Sequence, residues 1–387
     1  MIHLRNMNKK RSFLLSFIPT SYSVFFAFLF LPLPMVRAQN VAHFTDKLQR
    51  FWVFDAGQFH RLEHLPVAKV QQGGNYLIYE DQLHQVKEYR GGKTRIIDYM
   101  PVSDSFRVEQ QLMASHLLGA LRVYSDQKTD ILTLTATLPQ PFNYALGDSI
   151  LAFIDYDRYL KAYYHGELYD ISVQDMREYR SSDNSVAYLT EGETLNVYCH
   201  PNNYEIDTAL PNEYQVGNNG MVGYINRFNE LWVFDQNDHQ QLSPVRPQSW
   251  AMGTNLLAWV DINGVFKCYS QGRIEELSSV APKQYAITDS ILSYTDNRGF
   301  FNVFYRGKNH VLETYQPRQI EQGGGIVAYT DLDNRVYAFY EGEQVRVSPQ
   351  IVHRFALMGR CIVYSFNQSG SNNGDTEIYW NKQTYAP

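Results

Sequence analysis

The sequence predicts an all-β protein, a β-propeller built from about ten four-stranded repeats of about 35 residues each. Two observations predict this fold: apolar positions recur at that spacing through most of the chain, and they fall in short runs bounded by turn residues. A third is that the runs carry apolar side chains on both faces, as expected for a blade covered by a neighbour on each side. The repeats leave two arrangements open, one ring of roughly 8–10 blades or two smaller rings.

Residues 1–38 are expected to be a secretory signal peptide that precedes the repeat domain at 39–387. They contain five basic residues and no Asp or Glu, with a basic segment at 7–11 and an apolar segment at 24–36. The small-residue sequence Val36-Arg37-Ala38 is typical of a cleavage site before Gln39. An uncleaved membrane anchor is the alternative, although Pro19, Pro32 and Pro34 interrupt the apolar run.

Charge and composition narrow the function class. The whole chain has 34 basic and 40 acidic residues, a net charge of −6, and without residues 1–38 the balance becomes 29 − 40 = −11. This argues against a nucleic-acid partner and against a polybasic membrane-surface protein. We expect an exported protein of the periplasm or cell surface that does not span the membrane once residues 1–38 are removed.

One mostly apolar position marks each of the ten copies, and an aliphatic residue follows the first nine markers at a distance of eleven residues. The markers are Phe51, Gln85, Leu121, Leu160, Leu195, Leu231, Phe266, Phe301, Val336 and Glu377. The aliphatic residues are Leu62, Ile96, Leu132, Ile171, Ile206, Leu242, Leu277, Leu312 and Val347. Such agreement between copies indicates a repeat architecture in which each unit packs on its neighbours.

Aromatic residues recur in three further phases of the repeat. One lies in the run about seven residues before the marker, as in Tyr294 and Tyr329, and is missing only from the third copy. Another lies three residues after the marker, with Glu88 as the exception. A fourth run follows the aliphatic position, so each unit has four runs, and their β-branched and aromatic residues favour strands over helices.

Polar turns are expected between the strands. An Asp opens the turn between the first and second runs in many copies, and Gly91, Gly166, Gly272, Gly307 and Gly342 are expected to adopt positive φ after the second run. A small residue beside the first-run aromatic indicates a crowded strand near the hub. These small residues are Ala152, Ala187, Gly223, Ala258, Ser293 and Ala328.

The units resemble the propeller repeats of the TolB-like and tryptophan-aspartate classes, in which an apolar strand, a polar turn, an aromatic strand closed by Gly and an aliphatic outer strand follow one another. The resemblance covers nearly all of residues 39–387. It is a resemblance of pattern, because the Gly-His…Trp-Asp signature and the sialidase Ser-x-Asp-x-Gly-x-Thr-Trp box are missing. It implies the propeller fold and assigns no catalytic residue.

Motifs that resemble catalytic or metal-binding sites are better explained by the repeat. Gly147-Asp-Ser-Ile-Leu151 is similar to a serine esterase block, but 288–292 holds the same Asp-Ser pair in the same phase, which favours a turn entering a strand. The recurring Asp could ligate calcium, yet a hairpin residue bonding its own turn fits better. No cofactor, metal or catalytic residue is therefore predicted, and Cys199, Cys268 and Cys361 are interpreted as core residues with at most one bridge.

Candidate partner-binding residues fall into two groups. Trp52, Trp232 and Tyr337 occupy a phase that is polar in other copies, which suggests partial exposure as contact aromatics, with packing under a loop as the alternative. The other group lies where copies diverge, because agreement between copies serves packing. It consists of Arg107 and His116 in the third copy, and Ser369 and Asn372 in a polar, Gly-rich insertion of the last copy.

The sequence predicts a non-catalytic propeller that acts as a protein–protein interaction platform for an envelope protein. An accessory subunit of an outer-membrane secretion or assembly complex is the specific form that we expect, by analogy of fold. The alternative is a glycan-binding or glycan-cleaving propeller whose site lies in the central channel, where carboxylates and aromatic residues from separate blades could meet without a local motif.

Overall fold

A computed structural model describes residues 40–99, 106–117, 120–125, 128–133, 144–366 and 376–387 of the chain. The expected signal peptide at 1–38 lies outside these residues. All regular elements of the described residues are β-strands, arranged in ten antiparallel sheets of consecutive strands. Each sheet is one blade, and blades 1 to 10 are numbered in chain order.

Blades 1 to 5 contain the first nineteen strands. Blade 1 has β1 (Val41–Thr45), β2 (Phe51–Asp55) and β3 (Gln58–Glu63); blade 2 has β4 (Lys69–Gln72), β5 (Tyr76–Glu80), β6 (Gln85–Arg90) and β7 (Lys93–Tyr99); blade 3 has β8 (Phe106–Val108), β9 (Leu112–Leu117), β10 (Ala120–Ser125) and β11 (Lys128–Thr133); blade 4 has β12 (Tyr144–Leu146), β13 (Ile150–Ile154), β14 (Leu160–Tyr164) and β15 (Glu167–Ser172); blade 5 has β16 (Met176–Ser182), β17 (Ser185–Thr190), β18 (Leu195–Cys199) and β19 (Asn202–Asp207).

Blades 6 to 10 contain the remaining strands. Blade 6 has β20 (Glu213–Val216), β21 (Val222–Ile225), β22 (Leu231–Asp235) and β23 (Asp238–Ser243); blade 7 has β24 (Ser249–Met252), β25 (Leu256–Val260), β26 (Phe266–Ser270) and β27 (Arg273–Ser278); blade 8 has β28 (Gln284–Thr288), β29 (Ile291–Thr295), β30 (Phe301–Tyr305) and β31 (Lys308–Glu313); blade 9 has β32 (Ile320–Gly323), β33 (Ile326–Thr330), β34 (Val336–Tyr340) and β35 (Glu343–Arg346); blade 10 has β36 (Arg354–Met358), β37 (Cys361–Ser365), β38 (Thr376–Trp380) and β39 (Gln383–Tyr385).

The first strand of each four-stranded blade lies at the central channel. First strands of neighbouring blades approach one another, as in the pairs β4 and β8, β12 and β16, and β24 and β28. We label the four strands of a blade A to D from the channel outward. Blade 1 has three described strands, which correspond to positions B, C and D because β1 and β2 form the same hairpin as the other B and C strands.

The blades are grouped differently from the units of the sequence repeat. The fourth run of a sequence unit is not the last strand of that unit's sheet but the inner strand A of the next blade, as Tyr144 on β12 illustrates. The described part of the chain therefore begins with a B strand, β1 of blade 1. Two smaller rings are not formed, because blades 1 to 10 follow one another in a single ring, and the prediction of four-stranded β-propeller repeats is confirmed.

Two of the sequence markers are displaced by one residue. Cross-strand pairing places Val86, which is fully buried, at the marker position of blade 2 rather than Gln85. Tyr89 then fills the aromatic phase, so Glu88 is not an exception to it. In blade 10 the same pairing places Thr376 at the marker position rather than Glu377.

In six blades the aliphatic residue that recurs after the marker is a β-bulge residue of strand D, and in blade 2 the bulge residue is Ile97 rather than the predicted Ile96. Leu160 pairs with Ser172 and Lys161 pairs with Asp170, so Ile171 is the extra residue between them. Its side chain is 5% exposed. The bulge turns an aliphatic side chain under an otherwise exposed outer strand, which explains why this phase varies so little between copies.

The core consists of apolar layers between neighbouring blades. The small residues beside the strand B aromatics lie in this layer and not at the hub, because strand B is second from the channel. A Cβ on Gly223 of blade 6 would lie 2.6 Å from Leu257 Cδ1 and 3.0 Å from Trp250 Cζ3, both in blade 7. Small residues in this phase therefore set the distance between neighbouring blades.

The ring closes between blades 1 and 10 through side chains. Ala42, Phe44 and Phe54 of blade 1 share a buried cluster with Cys361 and Val363 of blade 10. No described sheet contains strands from both ends of the chain. The three cysteines form no disulfide, and Cys268 and Cys361 are buried core residues, as expected.

The turns follow the chemistry predicted from sequence. Asp261 Oδ1 accepts the backbone N–H groups of Asn263 and Val265, both at 2.9 Å, and Asp261 Oδ2 accepts Lys267 Nζ at 2.8 Å. The same pattern of N–H bonds recurs at Asp46, Asp81, Asp155, Asn226, Asp296 and Asp331. The predicted glycines of the C–D turns have positive φ, for example 87° at Gly166.

Candidate functional site

The turns between strands A and B form a belt around one mouth of the central channel. Several of these turns donate a backbone N–H to a carbonyl of the next blade: Gly74 to Gln110 at 2.8 Å, Ser149 to Asp183 at 2.8 Å, and Asn218 to Thr254 at 2.9 Å. Further links join Gln111 to Asp148 and Thr254 to Asp289. The belt ties consecutive blades together where they are closest to the channel.

Side chains reinforce the belt between blades 5 and 6. Asn184 Nδ2 donates to Asn219 Oδ1 at 2.9 Å, and the backbone N–H of Asn219 donates back to Asn184 Oδ1 at 2.8 Å. Ser185 Oγ accepts the N–H of Gly220 at 2.7 Å. These reciprocal bonds fix the mutual position of two loops, so the channel mouth is a preorganised surface.

Carboxylates converge at this mouth from several blades. Burial raises the pKa of Asp148 to about 7, and the negative charge of Asp183 adds to the shift. Glu109 of blade 3 and Asp289 of blade 8 contribute in the same direction. The pKa values of Asp183 and Glu109 are also raised, chiefly by burial. The carboxyl groups therefore share a partly desolvated space in which one of them is half-protonated near neutral pH.

The channel wall carries cation–aromatic pairs between neighbouring A strands. The guanidinium of Arg107 on β8 lies 5.1 Å from the ring centroid of Tyr144 on β12. Arg180 of β16 lies 4.5 Å from the ring of Tyr214 on β20 and donates to the Tyr214 carbonyl at 2.8 Å. The predicted site residue Arg107 is thus an exposed residue of the channel wall, held by a contact between blades.

His116 lies on β9, one strand further from the channel than Arg107. It pairs with Leu121 of β10 and is half-buried within blade 3. Arg107 pairs with Ala114 on the same strand as His116, so the two residues share a blade.

The three predicted contact aromatics lie in separate blades. Trp52, Trp232 and Tyr337 occupy the same position on the C strands of blades 1, 6 and 9, and all three are half-buried. Each sits beside the strand B aromatic; the Tyr337 ring lies 5.9 Å from that of Tyr329, with 18° between the planes. The ring does not bring them together, so they form no common site.

The last two predicted residues, Ser369 and Asn372, lie outside the described residues. The Gly147-Asp148-Ser149 segment is a turn of the belt, as its repeat phase indicates. A Cβ on Gly147 would lie 3.0 Å from the carbonyl oxygen of Asp183, so glycine permits this close contact between blades.

Sequence reasoning missed the carboxylates of the channel mouth. In the sequence these carboxylates share one phase of the repeat, the A–B turn, which holds Glu109, Asp148, Asp183 and Asp289. Other copies carry Asn or Gly in this turn, so the phase does not stand out as a recurring acidic position. Their convergence depends on ring closure, which a single repeat does not reveal.

The described residues contain no group of three or more His, Cys, Asp or Glu side chains arranged to hold a metal ion. The carboxylate oxygens of the turn aspartates instead accept hydrogen bonds from the N–H groups of their own hairpins. Within the same described ranges, no helix is long and apolar enough to cross a membrane.

Several solved structures match this chain at low similarity. A computationally designed protein, Ika8, is 14% identical, with 71% of this chain and 95% of that chain covered and a TM-score of 0.32. Prp20p from Saccharomyces cerevisiae, described with its binding to Gsp1p and histones, is 9% identical, with 61% and 81% covered and a TM-score of 0.31. BamB from Moraxella catarrhalis is 12% identical, with 69% and 96% covered and a TM-score of 0.30.

At these identities and TM-scores the likeness says nothing about function. None of the curated proteins matches the sequence. The family model described as "10-bladed beta propeller domain" matches residues 35–385, which is nearly the whole repeat region. Ten sheets in one ring agree with that match. The chain therefore belongs to the family of the 10-bladed beta propeller domain.

Proposed function

We propose that this propeller is an exported, non-catalytic platform that holds a protein partner of the cell envelope. The propeller fold suits such a role, because a closed ring presents many turns on a rigid frame. The specific form that we propose is an accessory subunit of an outer-membrane secretion or assembly complex. That form is proposed by analogy of fold.

The observation that carries the proposal is the belt of A–B turns. Backbone hydrogen bonds of 2.8 to 2.9 Å run from one turn to the next, and Asn184 and Asn219 lock two of the turns side chain to side chain. A partner that binds such a surface does not have to order its loops first, which removes one of the main costs of association. A rigid surface assembled from many loops is what a docking platform requires.

Export is supported by the sequence. The basic segment at 7–11, the apolar segment at 24–36 and the small residues at 36–38 together favour a cleaved signal peptide. The net charge of −11 that remains after residues 1–38 fits a soluble envelope protein with a protein partner better than a nucleic-acid partner.

One observation favours a second candidate, a glycan-binding or glycan-cleaving site in the channel. Burial raises the pKa of both Asp148 and Asp183, that of Asp148 to about 7, and a pair of carboxyl groups can serve as acid and base in glycoside hydrolysis. If purified protein cleaves or binds envelope oligosaccharides and Asp148→Asn abolishes this at unchanged melting temperature, the second candidate replaces the platform.

The platform is tested by cross-linking in the native envelope. A tagged chain is expressed at its native level, cross-linked before lysis, solubilised in detergent and purified, and the recovered proteins are identified by mass spectrometry. One envelope protein at near one-to-one stoichiometry is the expected result. Recovery of the chain alone would contradict the platform.

A variant of the belt makes that test specific. Asn184→Ala removes the donor and the acceptor that hold Asn219, so recovery of the partner should fall if the belt is the docking surface. Asn263→Ala is a matched control, since Asn263 lies in a B–C turn at the opposite end of a blade and its turn bond comes from backbone N–H. Equal recovery with both variants would place docking elsewhere.

A further inference from the structure

A cavity of about 580 Å³ lies at the junction of blades 1 and 10. Its wall includes Phe44, Trp52 and Arg61, which form one cross-strand row over β1, β2 and β3. Arg354 of β36 and Thr376 of β38 line it from blade 10. A volume of this size is typical of ligand sites.

The described residues that line the cavity include five charged side chains, and four of these are basic. Lys47, Arg50, Arg61 and Arg354 carry positive charge, and Asp46 is the acidic side chain among them. The chain as a whole has a net charge of −6, so this positive cluster runs against the general charge. Such a local reversal draws in anionic groups and steers their approach.

Asp46 is committed to its own turn. Its Oδ2 atom accepts Arg50 Nε at 2.6 Å and Trp52 Nε1 at 2.9 Å, and its Oδ1 atom accepts two backbone N–H groups. These bonds, opposed by desolvation, lower the pKa of Asp46 to about 2. Asp46 therefore neutralises Arg50 within the turn.

Arg61 of β3 and Arg354 of β36 bring one guanidinium to the cavity from each of the two blades. Both side chains are exposed, and neither forms an ion pair with another of the described residues. A guanidinium presents donors in a planar fork that matches a carboxylate. Two such forks at one cavity, one from each blade, can each take a carboxylate of the same extended ligand.

The surroundings of Trp52 favour a peptide over a sugar as the ligand of the cavity. Its ring lies parallel to Phe44, 7° between planes and 6.4 Å between centroids, and the Arg50 guanidinium lies 5.6 Å from its centroid. Its N–H is already donated to Asp46. An indole with these neighbours offers its edge rather than a bare face, which suits contact with a peptide better than stacking of a sugar ring.

We infer that the cavity between blades 1 and 10 binds an acidic, Asp- or Glu-rich segment of a partner protein, with Arg61 and Arg354 as its carboxylate receptors. This inference rests on the proposed platform function and gives the partner a contact beside the B–C turn of blade 1, at the end of the blades opposite the belt. Trp and Arg together are the residues that most often dominate protein interfaces.

The test uses the purified full-length chain and a fluorescein-labelled oligoglutamate peptide, with binding followed by fluorescence anisotropy. The double variant Arg61→Gln, Arg354→Gln should bind at least about tenfold more weakly than the wild type. Added salt should weaken wild-type binding, because the receptors are exposed. Arg273→Gln is the matched control: Arg273 is an exposed strand D residue of blade 7, as Arg61 is of blade 1, and its loss should leave binding unchanged.

Three outcomes would overturn the inference. They are equal binding by the double variant and the wild type, an equal loss in the Arg273→Gln control, and tighter binding of a sulfated oligosaccharide that displaces the peptide. Circular dichroism and melting temperature show whether each variant is folded, and a single Arg61→Gln variant replaces the double variant if it is not.

The two proposals can fail separately. If the cross-linked envelope partner is recovered equally by wild type and double variant, the cavity is not its receptor and the platform stands. If the wild type recovers no stoichiometric partner while oligoglutamate binding still depends on Arg61 and Arg354, the platform is wrong and the anionic-segment site stands.

Discussion

The indole Nε1 of Trp380 donates a hydrogen bond to Asn40 Oδ1 at 3.1 Å, joining residues that lie 340 positions apart in the sequence. Trp380 also packs on Phe54, with 6.0 Å between ring centroids. Both contacts cross the junction of blades 1 and 10. The integrity of the ring therefore depends on side-chain packing between the two ends of the described chain.

Phe54 is expected to be essential at this junction. Its side chain is fully buried, and its ring contacts Phe59, Trp380 and Tyr385. Phe54→Ala should lower the free energy of unfolding by about 3–5 kcal/mol through lost burial and a residual cavity. Urea denaturation measures this. Phe228→Ala, at a side chain that is 66% exposed, is the control and should change stability by less than about 0.5 kcal/mol; similar values for the two variants would contradict the packing.

The turn aspartates are expected to act through hydrogen bonds and not through a bound metal. Asp261→Ala should cost about 1–3 kcal/mol, because it removes the acceptor of two N–H groups and of Lys267 Nζ. Asp261→Asn should cost less, since Asn226 serves the same role in blade 6. The melting temperature should be the same in the presence of calcium and of a chelator. A higher melting temperature with calcium would indicate that the turn aspartates bind the metal.

The channel mouth should make stability depend on pH near neutrality. The folded-state pKa of Asp148, about 7, lies above its ordinary value of 3.8, so the native state binds this proton more tightly than the unfolded state. Stability should therefore fall as pH rises through about 7. Asp148→Asn should flatten this slope and gain on the order of 1–2 kcal/mol at about pH 8, after allowance for partial solvent screening. Urea unfolding across this range measures the slope, and an unchanged slope in the variant would exclude Asp148 as its source.

Acid should destabilise the protein for the opposite reason. The pKa values of Asp46, Asp81, Asp261 and Asp296 are lowered by hydrogen bonds with their turns and basic neighbours, which outweigh desolvation. Their contribution is complete above the unfolded-state value near 4 and is lost as pH falls below it. Melting temperatures should thus pass through a maximum between about pH 4 and pH 7, and a steady rise into strong acid would contradict this balance.

Gly223 should not tolerate alanine, although alanine occupies this phase in other blades. An added Cβ would meet Leu257 Cδ1 at 2.6 Å and Met252 Sδ at 3.2 Å. Overpacking of this kind costs about 1–3 kcal/mol. Ala187→Gly, in blade 5, should cost about 1 kcal/mol or less and is the reverse control. Equal tolerance of both changes, measured by thermal unfolding, would show that neighbouring blades move apart easily.

Much of the fold could be predicted because packing imposes the same residue types on every copy. The Leu, Ile or Val that recurs at the strand D bulge, such as Ile171, can be recognised in the sequence because its side chain fills the same space in each blade. The displaced marker at Gln85 arises because this polar residue precedes the buried Val86, whereas in blade 10 both Thr376 and Glu377 are polar, so neither stands out in the sequence. The sequence did not reveal which four consecutive strands form one blade, because the repeat has the same period whichever strand is taken as the first.

The candidate site was predictable only in part. Arg107 could be found because the third copy diverges from the others, and the structure places it on the channel wall. The carboxylates at Asp148 and Asp183 could not, because their proximity follows from the ring and from no spacing along the chain. The unpaired charges of Arg61 and Arg354 were equally invisible, since the two residues lie in the first and last blades.

Among the residues that the structure describes, the junction of blades 1 and 10 is built from side chains rather than from a shared sheet, and this has an evolutionary consequence. A ring sealed by a composite sheet must keep both chain ends in register whenever its circumference changes. Here a duplicated or deleted 35-residue unit alters the circumference without disturbing any hydrogen-bonded ladder at the seam, because every described ladder lies within one unit of contiguous strands. A ring of unusual size can then arise by tandem duplication in single steps, with each intermediate retaining a seam that packs.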